Sequence, residues 1–345
     1  VVALSIEQLR CRGDELPPLL GCLDRSRHCA VYPTDRSVDI EREGVVMTYE
    51  VKLLDILDIE LEASFLVLAR GMGTTARVKT WSYLILGGDD PIIVDTGASE
   101  PEIMERLGMT GIQTPEMTLE AQLGRHGVAM DDIRYVLHTH HHIDHAGQDH
   151  RFPKATVVTN RRELEYSASG IMGGQYPPEY VKHHIDRLHT PGALRLLDLE
   201  LSGPDEILPG IVCEAAGGHT EGSMNINVAT ADGTACICGD VIYDIQNQIV
   251  DPIYQVLDYE PQSTGNQGTS KREERAAIKR ALNSGTFVLP IHDWPARVRN
   301  GRVLSRLVGD SVPGPEVEID HRTTSETSEM GLGADYWRPV LAAAP

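Results

Sequence analysis

Aromatic residues are scarce in this chain, at 5% of 345 residues with three tryptophans and three phenylalanines. Val, Ile, Leu and Ala must therefore fill most of the interior, and the length allows one large core or two modest ones. Positive charge is also short. Lys and Arg total 31 against 51 Asp and Glu, a net charge of −20. A surface that acidic repels polyphosphate, which argues against nucleic acid and anionic membranes as partners. No apolar run approaches the roughly 18 residues of a membrane-spanning helix. A glycine-rich dinucleotide fingerprint, a P-loop and a C-x-x-C pair are all missing from the sequence.

Six cysteines occur, at 11, 22, 29, 213, 236 and 238. Arg10, Arg12, Asp14 and Glu15 interrupt the N-terminal apolar stretch too early for a secretory signal. The thiols are therefore expected to be free and the protein cytoplasmic. His28 lies near Cys22 and Cys29, but the second ligand pair of a zinc ribbon is missing. The chain does not start with Met, and Met47 is an alternative start.

The texture changes near residue 60. Residues 1–60 are charged and weakly periodic and read as an extension; 61–310 read as the main domain; 311–345 read as a loosely ordered tail. Strands are expected at "ASFLVLAR" (63–70), "WSYLILGG" (81–88), "PIIVDTG" (91–97), "IRYVL" (133–137) and "ATVVTN" (155–160). Further strands are expected at 211–217, 224–230, 235–240 and 286–293. Helices are expected after Ser99 as N-cap, after Thr114, from about Arg161 and over 271–282, with a loop and helix at 170–192. Strands in runs with intervening helices indicate a layered α/β fold with mixed sheets.

What the sequence has in abundance is histidine in one place. "VLHTHHHIDHAG" (136–147) puts five histidines and one aspartate into the eight residues from His138 to His145. Where a strand runs out into a loop, His138, His140 and His142 share one parity. Imidazole and carboxylate are good zinc ligands when the ion must stay reactive. His219 in "GGHTEGS", Asp240 in "CICGD" and His292 in "VLPIHD" stand at other strand ends, and strand ends converge at one edge of layered α/β folds.

Together these stretches resemble the metallo-β-lactamase superfamily. "HTHHHIDHAG" matches its H-x-H-x-D-H signature, "IIVDTG" is similar to its early Asp-containing turn, and "GGHTEGS", "GD" and "PIHD" resemble its later motifs, in family order. The resemblance implies an αββα sandwich, two mixed sheets flanked by helices, with metals at one edge of the sheets. It implies that His140, His142 and His219 bind one ion, that Asp144, His145 and His292 bind a second, and that Asp240 bridges them. Asp95 would steady the ligands from behind. His142 stands where iron-using relatives often have Glu, which favours two Zn2+ ions. His138, His141, His126, His150 and the group at 183–189 are expected to be structural; the alternative for the 183–189 group is to line a mouth or bind an extra ion at an interface.

A zinc-bound water has a pKa lowered to about 7, so hydroxide is present at neutral pH. Asp144 is placed to take and return a proton. "GDVIYD" carries Tyr243 three residues after Asp240, as in the N-acyl-homoserine-lactone lactonases, where a Tyr at that spacing donates to the substrate carbonyl oxygen. The resemblance therefore implies a dinuclear zinc hydrolase using metal-bound hydroxide on a small-molecule lactone or ester, and suggests a homodimer. A hydrolytic dehalogenase or another ring-opening, amide or thioester hydrolase is the close alternative; an iron-dependent oxygenase or oxidoreductase is the alternative from another class. Trp294, Tyr254, Tyr176 and Met172 are candidates to line an apolar groove. Glu221 departs from the Pro usual in the third-histidine loop, and "DHAGQ" lacks the usual second Gly.

Overall fold

A computed structural model describes residues 47–252, 260–266, 268–319 and 337–338. Cys11, Cys22, Cys29, His28 and Tyr254 lie outside the described residues.

The first sheet begins with a long hairpin, β1 (Glu50–Glu62) antiparallel to β2 (Thr75–Leu86). Directly paired residues share a face of a sheet. Val51 and Leu53 oppose Ile85 and Tyr83, and these face the second sheet in the central core. A bulge between Asp55 and Leu57 then reverses the faces. Beyond it Ile59 and Leu61 oppose Val78 and Ala76, and this apolar stripe leaves the central core for a separate cluster near the site. β3 (Ile92–Val94) continues antiparallel from β2 through the Gly87–Asp90 turn, and β4 (Thr110–Ile112) pairs with the far half of β1. β5 (Tyr135–Leu137), β6 (Thr156–Asn160) and β7 (Leu194–Leu197) then add in parallel.

The second sheet takes β8 (Asp205–Leu208), β9 (Ile211–Ala215), β10 (Met224–Thr230), β11 (Gly233–Gly239), β12 (Phe287–Pro290), β13 (Ala296–Arg299) and β14 (Arg302–Leu307), hydrogen-bonded in that order. Only β11 and β12 are parallel neighbours among them. β15 (Ser311–Val312) crosses back to β1, β16 (Glu316–Glu318) extends the second sheet beside β14, and β17 (Trp337–Arg338) pairs with β2. Of the helices, α1 (Leu119–Arg125) packs Leu119 and Leu123 on the outer face of the first sheet. Two more, α2 (Arg161–Ala168) and α3 (Pro178–Leu188), follow β6, and α4 (Leu199–Ser202) is a single turn. α5 (Lys271–Ser284) packs Ala277, Ile278 and Ala281 on the outer face of the second sheet. The layers are helix, sheet, sheet, helix, as expected.

Four details differ from the sequence reading. The strand expected at 63–70 is a turn. Glu62 accepts the amides of Ser64 and Gly73, which folds the chain over, and Leu66 and Val67 are buried against the β1 stripe. The boundary expected at residue 60 falls inside β1. The tail expected from 311 starts with residues paired in both sheets. The two helices expected after Ser99 and Thr114 are shorter and begin later. Pro101–Leu107 is a 3₁₀ coil, and α1 is capped by Thr118 rather than Thr114.

A chain shortened to begin at residue 61 should not fold. It loses the buried Val51, Leu53, Leu54, Ile56, Leu57 and Ile59. At about 1.5–3 kcal/mol each, the loss is of the same size as the roughly 5–15 kcal/mol total stability typical of a native protein. Scanning calorimetry should find no cooperative transition; a sharp one would show that β1 is dispensable.

Candidate metal centre

Two parallel strand pairs, one in each sheet, deliver the candidate residues to one edge. Val94 is in register with Leu137, so Asp95 and His138 leave the first sheet side by side. Gly239 is in register with Pro290, so Asp240 and His292 leave the second sheet close together. His219 comes from the loop after β9. Gly222 in that loop lies so close to Glu163 that a Cβ would sit 2.1 Å from its backbone nitrogen, which explains a glycine there. Glu221, which departs from the family pattern, is exposed and pairs with Arg162 at 2.8 Å.

All seven expected ligands meet there, buried, in two groups. In the first, His219 Nε2 lies 3.1 Å from His140 Nε2 and 2.9 Å from His142 Nδ1. Asp240 Oδ2 is 3.6 Å from His219 Nε2 and 3.9 Å from His140 Nε2. In the second, His292 Nε2 is 3.3 Å from Asp144 Oδ2, and His145 Nε2 is 3.6 Å from Asp144 Oδ1. The other oxygen of Asp240, Oδ1, faces this group, 3.2 Å from His145 and 3.3 Å from His292. The carboxylate therefore addresses one group with each oxygen.

The donors suit a cation. Three ring nitrogens facing one another cannot all be satisfied by shared protons, because each neutral imidazole offers one donor and one acceptor. Asp240 Oδ1 and His145 Nε2 are buried 3.2 Å apart but not aligned for a hydrogen bond, and neither has another partner. Burial and the neighbouring imidazoles hold His140 and His142 well below the usual histidine range, and burial takes His219 down to about 4. Neutral rings keep the lone pairs a metal requires. For His292 burial acts downward too, but Asp240 and Asp144 outweigh it and raise it to about 10.

Support lies behind the ligands. His145 Nδ1 is 2.9 Å from Asp95 Oδ2, which also accepts the Thr139 hydroxyl at 2.7 Å; Asp95 Oδ1 accepts the Thr139 amide at 2.9 Å. His292 Nδ1 donates to the carbonyl of Lys79 at 2.8 Å.

A pocket opens over the centre. His142, Asp144, Asp240, His292, Tyr243 and Asn266 form its polar end; Ile59, Leu61, Phe65, Leu66, Val78 and Met104 are among its apolar walls. The Tyr243 ring stacks on His292 at 5.1 Å and 4°, and its hydroxyl accepts from Asn266 Nδ2 at 3.1 Å. Burial, with the charges of Asp240 and Asp144, pushes the phenol well above its usual value, so it keeps its proton. Of the groove candidates, Trp294 packs instead on Trp81, and Tyr176 is buried with its hydroxyl on Glu163. Met172 is not among the pocket's residues; the walls come from β1 and the 63–67 and 101–109 segments.

Several supporting residues escaped the sequence reading. Glu163, fully buried on α2, accepts the His141 amide at 2.9 Å, the Tyr176 hydroxyl at 2.9 Å and the Thr220 hydroxyl at 2.6 Å. It staples the histidine loop to the His219 loop. A lone Glu early in a helix gives no signal of this. His138, despite sharing parity with His140 and His142, turns away to Asp95 and Asp149. Burial would lower it, but Asp149 and Asp95 lift it to about 9. His141 also turns away, its Nε2 2.9 Å from the Thr159 hydroxyl and its ring stacked on His184. Cys213, Cys236 and Cys238 are buried free thiols, as expected.

The comparisons with known proteins agree with this arrangement. The signature of the Metallo-beta-lactamase superfamily matches residues 76–292. A curated N-acyl homoserine lactonase of Bacillus cereus is 28% identical over 186 residues, 51% of this chain and 68% of its own length. Among solved structures, a B. thuringiensis AiiA mutant with N-decanoyl-L-homoserine bound at the active site matches with a TM-score of 0.53 and 21% identity, over 68% of this chain and 88% of that one. AidC, a dizinc quorum-quenching lactonase, matches with a TM-score of 0.53 and 16% identity, over 79% and 95%. The two structural likenesses speak for the fold; with the family match spanning most of the chain from β2 to His292, the chain belongs to the metallo-beta-lactamase superfamily.

Proposed function

We propose that this protein is a dinuclear zinc hydrolase that opens a small-molecule lactone or ester. The observation that carries the reading is the shared carboxylate: Asp240 turns one oxygen to each of two ligand groups at the floor of a pocket. His140, His142 and His219 would hold one ion, Asp144, His145 and His292 the other, and Asp240 both. Such ions supply Lewis acidity and make water a nucleophile near neutral pH. The named similarities to N-acyl homoserine lactonases and to a dizinc lactonase support both the metal and the bond class.

The chain's own groups then divide the work. The apolar walls receive the aliphatic part of a substrate and exclude water from it. The polar end orients the carbonyl, with the protonated Tyr243 hydroxyl as donor to its oxygen and Asn266 fixing that hydroxyl. Asp144, which lines the pocket, accepts the proton of the attacking water and returns it to the leaving oxygen.

Four outcomes test this. A turnover screen of zinc-loaded protein should find lactones of varied acyl length, or simple aryl esters, cleaved faster than β-lactams or chlorinated aromatics; preference for the chlorinated rings would favour a dehalogenase. Stoichiometric iron without zinc in the purified protein would overturn the hydrolase reading. Asp240→Ala and His140→Ala should each remove metal, measured by elemental analysis, and abolish turnover. Tyr243→Phe should keep its metal and lower kcat by about 10²–10³, the usual loss for one oxyanion donor; unchanged kinetics would refute the role.

A further inference from the structure

A second buried cluster lies behind the candidate metal centre and is used by none of the chemistry above. His138, Asp149 and His184 are each at most 1% exposed. His138 Nδ1 is 3.2 Å from Asp95 Oδ1 and its Nε2 is 2.8 Å from Asp149 Oδ2. Asp149 Oδ2 also lies 2.9 Å from His184 Nε2, and Asp149 Oδ1 accepts the Thr96 hydroxyl at 2.9 Å. His184 sits on α3. One turn on, Arg187 donates to the carbonyls of Asp149 and Phe152, both at 2.8 Å, and of Ala155 at 2.9 Å. α3 is thus fastened to the segment after the histidine run at two levels, while at its start Tyr180 accepts the amide of Ser99 in the turn beyond Asp95.

We infer that the chain His184–Asp149–His138–Asp95 is a positioning strut for His145, fixing the ring that serves the second metal subsite; this rests on the metal reading above. The argument is one of donors and acceptors. Carboxylates accept only, so a ring with a carboxylate oxygen against each nitrogen donates from both. His138 therefore cannot rotate or change tautomer without abandoning a buried carboxylate, which costs more than a surface hydrogen bond. That fixes Asp95 Oδ1, and with it Oδ2, onto which His145 donates. His145 Nε2 is then left aimed at Asp240.

The same three side chains could be read as a third metal site, since their ligand atoms lie within 4.8 Å of one another. The pairing is against it. Here each of the nitrogens concerned faces a carboxylate oxygen at 2.8–2.9 Å, whereas in the candidate metal centre nitrogen faces nitrogen in the first group and the nitrogen–carboxylate distances open to 3.2–3.6 Å in the second. The strut bears more directly on one subsite than on the other. His145 meets Asp95 itself, whereas His140 is reached only through the Thr139 hydroxyl, 3.2 Å from its Nδ1, and the loops of the first group are also tied by Glu163.

The test is a chelator competition on full-length zinc-loaded protein, followed by visible spectra of the cobalt-substituted form. His138→Leu should weaken the second ion by roughly 10- to 100-fold, the usual effect of removing a partner behind a ligand. The first ion should be weakened far less, and the cobalt bands of the second should change. His138→Gln, which retains a donor toward Asp95, should recover part of the loss. General destabilisation would weaken both ions alike and would overturn the strut. So would a second ion held equally well in both variants, or a third equivalent of zinc lost with His138. Should neither variant fold, ¹⁵N-histidine NMR of the wild-type protein decides: two exchange-protected N–H protons on the His138 ring support the strut, and one refutes it. Wild-type protein with no second ion would overturn the metal reading itself, which the stoichiometry separates from failure of the strut alone.

Discussion

Asp95 ends β3 with a positive φ of 56°, a conformation that Asp tolerates better than most residues. Its amide donates to Leu137 and its carbonyl accepts the Ser82 hydroxyl. The backbone is therefore held to both neighbouring strands while the carboxylate is swung under the histidine run. From there it accepts from Thr139 twice, from His138 and from His145. The run leaves β5 and has no ladder of its own, so this buried carboxylate determines which of its histidines face the site. His138, the first of them, is claimed by it, and His140, His142 and His145 turn toward the edge where the second sheet ends.

The rest of the fold supplies that edge. Each sheet contributes one parallel pair whose strands stop together, β3 with β5 and β11 with β12. The twofold repetition places Asp95 opposite Asp240, one carboxylate behind the ligands and one between them. The bulge in β1 completes the geometry by turning the apolar face of the first hairpin away from the central core and toward the pocket.

What could be read in the sequence was what is local. The Asp144-His145 pair marks the register of the histidine run, and Gly-Asp and His at strand ends are short signals that need no knowledge of the fold. Both mixed sheets followed from strands in runs. What escaped depended on contacts between distant segments. The residues from 50 to 60 read as part of a charged extension because Glu50, Lys52, Asp55, Asp58 and Glu60 interleave with the apolar residues; several of these charges are paired across the hairpin, as Asp58 is with Arg77 and Asp55 with Lys79. The pocket walls were missed for the same reason. Glu163 and Asp149 look like ordinary acidic residues near a helix, and only the third dimension brings the donors that bury them.

Four fully buried carboxylates near the site show how the centre differs from its supports. Burying a charge is costly unless it is paired and hydrogen-bonded. Glu163 meets this with a backbone amide and two hydroxyls, Asp149 with two imidazoles and a hydroxyl, and Asp95 with two imidazoles, an amide and a hydroxyl. Each is a closed account of donors. Asp240 has no such shell. Imidazole nitrogens flank it at 3.2–3.9 Å, and its Oδ1 has no hydrogen-bond partner. Against the effect of burial, Asp240 and Asp144 raise His145 well above the usual histidine range and His292 to about 10, so what answers Asp240 is positive charge: on these rings or, in the proposed reading, on metal ions held in their place. That asymmetry, rather than the number of histidines, separates the candidate metal centre from the equally histidine-rich cluster behind it.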